Sequence, residues 1–440
     1  MNTQTATARW QHLAAIALAA LILAAPSIWL LSTIPPLWRD VDAYIQTTSR
    51  PGPATVLLHG PLYGFIARVP LYAGYWLESS ATETRSFTDF FISPTLTNSG
   101  VFALLMLQHA ALIATQLCFV TAVAKTLWVR LLLAAGLAAN PLLYTFAHCV
   151  GSEALSGIGI VLLATIGWRI ARGDETRARQ WSAFGVVLVL LMLTRQVNAV
   201  LVALLPVALF PLIAQELGRS RFSSPGARRL TASIAVGVVA VVLSAGAARL
   251  IALAADVDYR SKIGFTFMWR LQFLQKLAPA ERERVVREAA ANAPSPETKA
   301  VIEALGERFA APEQLNVNEF VRQHRETLFP AGSEDVTERT DAAFNGMPLA
   351  FVLGSPAVLV RSAVEDFASA RRMRIPTATE FLLWSTAYYF GREEALPQLA
   401  NLITFSGYSH DDIVGLQVRF PYLRWWNALT YNGWLVVWLL

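Results

Sequence analysis

The chain has 440 residues, of which 55% are hydrophobic and only 15% are charged. Because soluble domains usually carry about 25% charged residues, this composition excludes an ordinary soluble protein, and the mean hydropathy of +0.43 agrees. The formal net charge of +5 indicates membrane topology rather than nucleic-acid binding. Cys118 and Cys149 lie in or beside apolar runs, so no disulfide framework is implied.

The apolar residues are concentrated in eight runs, which predict an all-α polytopic membrane protein with about eight transmembrane helices. The runs are 13–34, 101–124, 131–147, 154–168, 181–194, 197–214, 230–254 and 425–440. A helix needs roughly 20 apolar residues to cross the hydrocarbon core, so the short runs 181–194 and 197–214 are interpreted as a tight helical hairpin. The first run exceeds the apolar core of a signal peptide and is expected to be a retained anchor.

Basic residues predict the orientation, because short loops that hold Lys and Arg stay in the cytoplasm. They lie between runs two and three, four and five, and six and seven: Lys125, Arg130, Arg172, Arg177, Arg179, Arg219, Arg221, Arg228 and Arg229. The opposite short loops hold only Arg195. The N-terminus is therefore expected in the cytoplasm and the long loops on the outer side of the membrane. The Ala/Arg-rich composition of the chain and the absence of a eukaryotic sorting signal in the sequence favour a bacterial inner membrane.

This topology predicts three parts. A transmembrane module spans 1–254 and includes a first outer loop, 35–100; a periplasmic helical domain spans 255–424; and a final transmembrane helix spans 425–440. The first outer loop is rich in Trp, Tyr and Pro, which favours the membrane interface.

Several helices are predicted in the outer parts. In the first loop they cover 37–48 and 61–77, the latter lying in the interface plane. In the second outer part they cover 281–290, 296–305 and 318–328, followed by an amphipathic helix, 347–367, broken near Gly354-Ser355-Pro356.

Chemistry is expected first in the segment Trp38-Arg39-Asp40-Val41-Asp42-Ala43-Tyr44. On a helix, Asp40 and Tyr44 share a face because they are four residues apart. A carboxylate at the interface has a raised pKa and is therefore a better general base. The alternative interpretation is that both aspartates solvate a loop that follows a transmembrane helix.

Three further motifs lie at the predicted outer ends of helices: His59-Gly60-Pro61-Leu62-Tyr63, Ser152-Glu153 and Thr194-Arg195. Together with the aspartate segment, their order and sidedness resemble the GT-C glycosyltransferases that use polyprenyl-phosphate sugars, among them protein mannosyltransferases and aminoarabinose transferases of lipid A. The resemblance covers roughly 10–250. In that family an Asp followed four residues later by Tyr is the catalytic element, which Asp40 and Tyr44 match.

The resemblance implies an inverting glycosyltransferase that moves a sugar from a polyprenyl-phosphate donor to an acceptor hydroxyl at the periplasmic face. Many family members have a second polar residue directly after the Asp, where this chain has Val41, so Asp40 and Asp42 both remain candidate bases. Tyr44, His59, Tyr63, Glu153 and Arg195 are the expected substrate-binding residues. Arg195 is the first candidate for the phosphate, with Arg39 or Arg260 behind it, because an Arg fork suits phosphate oxygens.

The acceptor is expected to be a lipid, a polysaccharide or a protein. No cofactor is expected: a divalent cation at His148, Glu153 and the aspartates has no supporting ligand spacing, and no phosphate-binding loop for ATP is present in the sequence. His109 is interpreted as a hydrogen-bonded packing residue. Two other functions stay open, namely a transporter or lipid flippase, and a non-catalytic membrane scaffold.

Overall fold

The structure is a computed structural model, and it describes a defined part of the chain. The described residues are 3–33, 37–38, 61–79, 85–92, 94–172, 177–195, 198, 201, 225–254, 264, 267–268, 271–310, 320 and 336–370. Within them the chain is almost entirely helical and divides into two compact units. The first unit comprises Met1–Tyr259 and Ile375–Leu440, and the second comprises Arg260–Arg374.

The described helices of the first unit are numbered here in chain order. They are α1 (Thr3–Thr33), α2 (Pro61–Glu78), α3 (Phe87–Ile92), α4 (Asn98–Val123), α5 (Leu127–Ala138), α6 (Pro141–Ala147), α7 (Glu153–Arg172), α8 (Arg177–Thr194) and α9 (Pro225–Ala254). Helix α4 is central because it packs against α1, α2 and α7. Helix α8 packs between α7 and α9, and α5 lies against α1.

Among the described residues, four helices are long and apolar enough to cross a membrane. They are His12–Ser32, Asn98–Val123, Glu153–Ile170 and Thr231–Ile251, and a bent helix pair in the second unit raises the number to five if it forms one span. The apolar helices Leu127–Ala138 and Ala178–Thr194 are shorter. The all-α membrane fold is therefore confirmed, whereas the number of eight crossings stays a prediction; runs 197–214 and 425–440 lie largely or wholly outside the described residues.

The run 131–147 is not one continuous helix, because it is divided between α5 and α6, and its predicted crossing of the membrane stays a prediction. Helix α5 ends at Ala138, and α6 begins at Pro141. Proline lacks the N–H that a continuing helix would bond and disfavours helical backbone in the residue before it. The Asn140 N–H instead bonds to the Leu137 carbonyl at 3.1 Å, which closes the end of α5.

The predicted helix 37–48 is wrong at its start. Leu37–Trp38 form a short strand, β1, which pairs in parallel with β2, Cys149–Val150. Pro35 and Pro36 precede β1, and a proline ring fixes φ without supplying a donor. The buried backbone of β2 has ladder groups that need partners. Residues 39–48 lie outside the described residues.

A close approach between α2 and α4 fixes the packing of the first unit. A Cβ added at Gly74 would meet the backbone of Ser99 and Gly100, and one added at Gly100 would meet the Leu71 carbonyl. Glycine at both positions therefore lets the two backbones touch. The crossing buries Leu71, Leu104 and neighbouring apolar residues.

The described helices of the second unit are α10 (Pro279–Ala291), α11 (Pro296–Ala310), α12 (Val336–Gly354) and α13 (Pro356–Ala370), with a 3-10 helix over Leu271–Lys276. Helices α10, α11 and α12 pack against one another around a core of apolar side chains. The predicted helices 281–290 and 296–305 and the break near Gly354-Ser355-Pro356 are confirmed. The predicted helix 318–328 lies outside the described residues except for Phe320, and the domain limits 255–424 stay a prediction.

Candidate functional site

The candidate site is built around an ion pair between Glu153 and Arg195. Glu153 is the first residue of α7, and Arg195 directly follows the last residue of α8. Because α7 and α8 form an antiparallel hairpin, the start of one helix and the end of the other lie at the same end of the bundle. The Arg195 Nη1 donates to the Glu153 Oε1 at 2.8 Å.

The two oxygens of the Glu153 carboxylate have different surroundings. The side chain of Glu153 is 8% exposed, whereas that of Arg195 is 32% exposed. The Glu153 Oε2 is buried and has no hydrogen-bond partner among the described residues. A buried polar oxygen without a partner is costly. The carboxylate therefore keeps one acceptor oxygen that no described residue uses.

A second polar contact joins the same helix ends. The amide Nδ2 of Asn198 donates to the Ser156 Oγ at 3.0 Å and to the Leu191 carbonyl at 2.7 Å. Asn198 and Ser156 are both buried. The motif that follows α8 is thus held against the first turns of α7 by both Arg195 and Asn198.

The strand pairing connects this end of the bundle to the predicted catalytic loop. Leu37 is opposite Cys149 and Trp38 is opposite Val150, and β2 is followed three residues later by Glu153. Asp40 is two residues beyond Trp38 in the sequence. Asp40, Asp42, Tyr44 and His59 themselves lie outside the described residues.

Tyr63, also predicted to bind substrate, is buried and is connected to β2 through Gln108. Its hydroxyl donates to the Gln108 Oε1 at 3.1 Å. The Gln108 amide in turn donates to the carbonyls of Ala147 at 2.9 Å and Cys149 at 3.0 Å. These contacts give Tyr63 a role in fixing β2, and its predicted contact with substrate stays a prediction.

A buried histidine pair lies next to this network. The ring of His109 contacts the Ser27 Oγ through Nδ1 at 2.9 Å and the His148 Nδ1 through Nε2 at 3.2 Å. Both histidines are about 1% exposed. The predicted hydrogen bonding of His109 inside the protein is confirmed, but the pairing with His148 was not predicted, because the partners are 39 residues apart in the chain.

A buried cation, Arg68 in α2, was also missed. Its Nε donates to the Phe91 carbonyl at 2.7 Å and its Nη1 to the Gly64 carbonyl at 2.9 Å, and the guanidinium lies over the Phe91 ring. Burial lowers the pKa of Arg68 to about 10, so the side chain is still charged at neutral pH. A single Arg in an apolar helix has no sequence pattern that would indicate its bond from α2 to α3.

Among the described residues, no group of three or more His, Cys, Asp or Glu side chains is close enough to hold a metal ion. The described site thus contains one carboxylate, one guanidinium and two neutral polar side chains at the ends of α7 and α8. Comparisons with protein-family models, with curated proteins and with solved structures gave no match to this chain.

Proposed function

We propose that this chain is an inverting glycosyltransferase of a bacterial inner membrane, with its N-terminus in the cytoplasm. It would move a sugar from a polyprenyl-phosphate donor to an acceptor hydroxyl at the periplasmic face. The observation that carries the proposal is the Glu153–Arg195 pair, in which a partly exposed guanidinium is held by a buried carboxylate whose second oxygen has no partner among the described residues.

The guanidinium suits the phosphate of the donor. Arginine has five N–H donors, and the bond to Glu153 is made by Nη1 alone among the described contacts of its guanidinium. The other donors supply the planar fork that binds phosphate oxygens. Because Glu153 fixes the guanidinium in place, Arg195 loses little side-chain entropy when a phosphate binds.

An apolar cleft on the same helix suits the lipid chain of the donor. It has a volume of about 470 Å³, lies between α8 and α9, and is lined by residues that include Trp181, Val186, Leu190, Val239 and Leu243. Leu190 is five residues before Arg195, which corresponds to about 7.5 Å along the helix. A donor whose phosphate meets Arg195 could therefore place its polyprenyl chain along α8.

The sugar transfer needs one base and one stabilised leaving group. The acceptor oxygen forms a bond to the anomeric carbon while the bond from that carbon to the phosphate oxygen breaks. The hydroxyl proton passes to the carboxylate of Asp40 or Asp42, and polyprenyl phosphate leaves against Arg195. Such a base typically contributes about 10²–10⁴-fold to the rate. Tyr44, His59 and the Oε2 of Glu153 would bind sugar or acceptor hydroxyls.

The sequence position of the aspartates supports this arrangement. Consecutive Cα atoms are about 3.8 Å apart, so the chain carries Asp40 at most about 8 Å from Trp38, which pairs with Val150. The route from Val150 to Glu153 is three residues long. The strand pair therefore brings Trp38, two residues before Asp40, next to a strand that ends three residues before Glu153.

Sugar transfer in membranes that contain matched amounts of wild type, Asp40→Asn and Asp42→Asn tests the proposal. Each sample receives radiolabelled polyprenyl-phosphate sugars. We expect one Asn variant to lose about 10²–10⁴-fold of the transfer rate while it still binds donor, which identifies the base. Equal transfer by all three proteins would contradict the assigned roles.

A transporter or flippase remains the second candidate, because buried polar side chains lie within a candidate span. Gln108, His109 and Gln116 of α4 are all buried, and the Gln116 amide nitrogen has no partner among the described residues. Polar groups at membrane depth often mark a transport path. Movement of donor lipid across proteoliposomes, without any sugar transfer, would favour this second function.

A further inference from the structure

The second unit has an apolar surface at the junction of α12 and α13. The two helices meet at Ser355, and their axes are bent by 99°. Five large apolar side chains on this bend are more than half exposed: Leu349, Val352, Leu353, Val360 and Val364. These five residues are called the elbow surface below.

The elbow surface is separate from the core of the second unit. The buried faces of the same helices supply Phe344, Met347, Phe351 and Val358 to that core, where they pack with side chains of α10 and α11. Each helix therefore has two apolar faces, one inside the unit and one on its surface. Large apolar side chains that are more than half exposed and lie close together along the chain indicate an interaction surface.

The bend itself is held by specific contacts. The Ser355 Oγ donates to the Glu288 Oε2 at 2.7 Å, and the Arg361 Nη2 donates to the Glu281 Oε1 at 2.8 Å. Gly354 lies so close to the Glu288 backbone that an added Cβ would meet it at 2.7 Å. The elbow surface is thus presented by a fixed angle between two helices.

The chain keeps the second unit close to a lipid surface. The candidate span Thr231–Ile251 belongs to α9, which ends at Ala254, and the second unit begins at Arg260. With about 3.8 Å between consecutive Cα atoms, these six steps reach at most about 23 Å. The start of the second unit is therefore within about 23 Å of the end of α9, a distance from which the unit can reach a bilayer surface.

Charges exclude the bilayer centre as the position of the elbow. Helices α12 and α13 together are apolar enough for a broken span, but α13 also carries Arg361 and Glu365. It packs beside α10, whose Glu283 and Arg287 side chains are 77% and 71% exposed. Ionised groups are costly at membrane depth, whereas an interfacial helix keeps them in water and buries only its apolar face.

We propose that the elbow surface is a membrane-interface anchor, which inserts Leu349, Val352, Leu353, Val360 and Val364 into the boundary between lipid headgroups and acyl chains. The anchor fixes the second unit on the bilayer that the first unit crosses. This role depends on the membrane location of the chain and is independent of sugar transfer.

Spin labels on the full-length protein in nanodiscs test the anchor. The labels are attached to Leu353→Cys and Val360→Cys in a Cys118→Ser background, and collision rates are measured with oxygen, which enters lipid, and with a water-soluble nickel chelate. Val242→Cys, in the span of α9, is the lipid reference, and Glu303→Cys, on the exposed face of α11, is the water reference. Since both elbow side chains are already exposed, the labels replace no core contact.

We expect the ratio of oxygen to chelate collisions at Leu353 and Val360 to be several-fold higher than at Glu303 and to approach that at Val242. A ratio equal to that at Glu303 would overturn the proposal, because it would place the elbow in water. Low collision rates with both reagents would also overturn it, since they would show a protein partner on this surface.

Discussion

Replacing Arg195 by glutamine removes the cation that faces the buried Glu153 carboxylate. Removing one partner from a fully buried ion pair costs roughly 3–5 kcal/mol, whereas exposed pairs contribute about 0–1 kcal/mol. The Glu153 side chain is 8% exposed and the Arg195 side chain 32% exposed, so the pair lies between these limits. We therefore expect Arg195→Gln to lower the free energy of unfolding by about 2 kcal/mol.

A double-mutant cycle separates the pair from other effects of the substitution. Glu153→Gln, Arg195→Gln and the double variant are compared with wild type in bicelles, by titration with sodium dodecyl sulfate followed through tryptophan fluorescence. The double variant leaves no unpaired charge, so we expect a coupling free energy of about 1–2 kcal/mol. Arg172→Gln, which replaces an exposed arginine over the Trp168 ring, is the matched control and should change stability by less than about 1 kcal/mol.

The reasoning would be refuted if the two single losses added within about 0.5 kcal/mol, because additive losses indicate that the side chains do not interact. An Arg195→Gln variant as stable as Arg172→Gln would refute it as well.

Three further substitutions test the packing. Gly74→Ala should destabilise the protein by about 1–3 kcal/mol, because its methyl group would overlap the backbone at the start of α4. The control is Gly136→Ala, which has open space around it and should be neutral or slightly stabilising in the same titration. Gln108→Leu should cost about 2 kcal/mol, since it removes the amide that donates to the carbonyls of Ala147 and Cys149. Increased amide exchange at Cys149 and Val150 should accompany the loss. Ser355→Ala should cost about 1 kcal/mol in the second unit by removing the bond to Glu288; no change in its thermal midpoint would contradict the role of this bond in the bend.

The membrane fold was predictable because long apolar runs are a strong local signal. The runs 13–34, 101–124, 154–168 and 230–254 correspond to the four candidate spans. The break near Gly354-Ser355-Pro356 was predictable for a similar reason, because a glycine followed by a residue that precedes proline is a local signal for the end of a helix. The division of 131–147 had the same kind of signal in Asn140-Pro141. It was overlooked because the run was identified only by its apolar composition.

The contacts of the site were harder to predict, because they join distant parts of the chain. Glu153 and Arg195 were identified separately. Their pairing depends on where α7 begins and where α8 ends, because these two positions meet at one end of the hairpin. Two-residue strands such as β1 and β2 have no periodicity, so their pairing across 112 residues left no sequence pattern. The His109–His148 contact also joins residues that are far apart in the chain, so no local sequence pattern indicated it.

The most direct test of the central claim is donor consumption by the purified wild-type protein in nanodiscs. A panel of polyprenyl-phosphate sugars is supplied with candidate lipid, polysaccharide and protein acceptors, and both products are analysed by mass spectrometry and nuclear magnetic resonance. The proposed function predicts release of polyprenyl phosphate together with a glycosylated acceptor of inverted anomeric configuration. Intact donor with every acceptor, or a product with retained configuration, would contradict it.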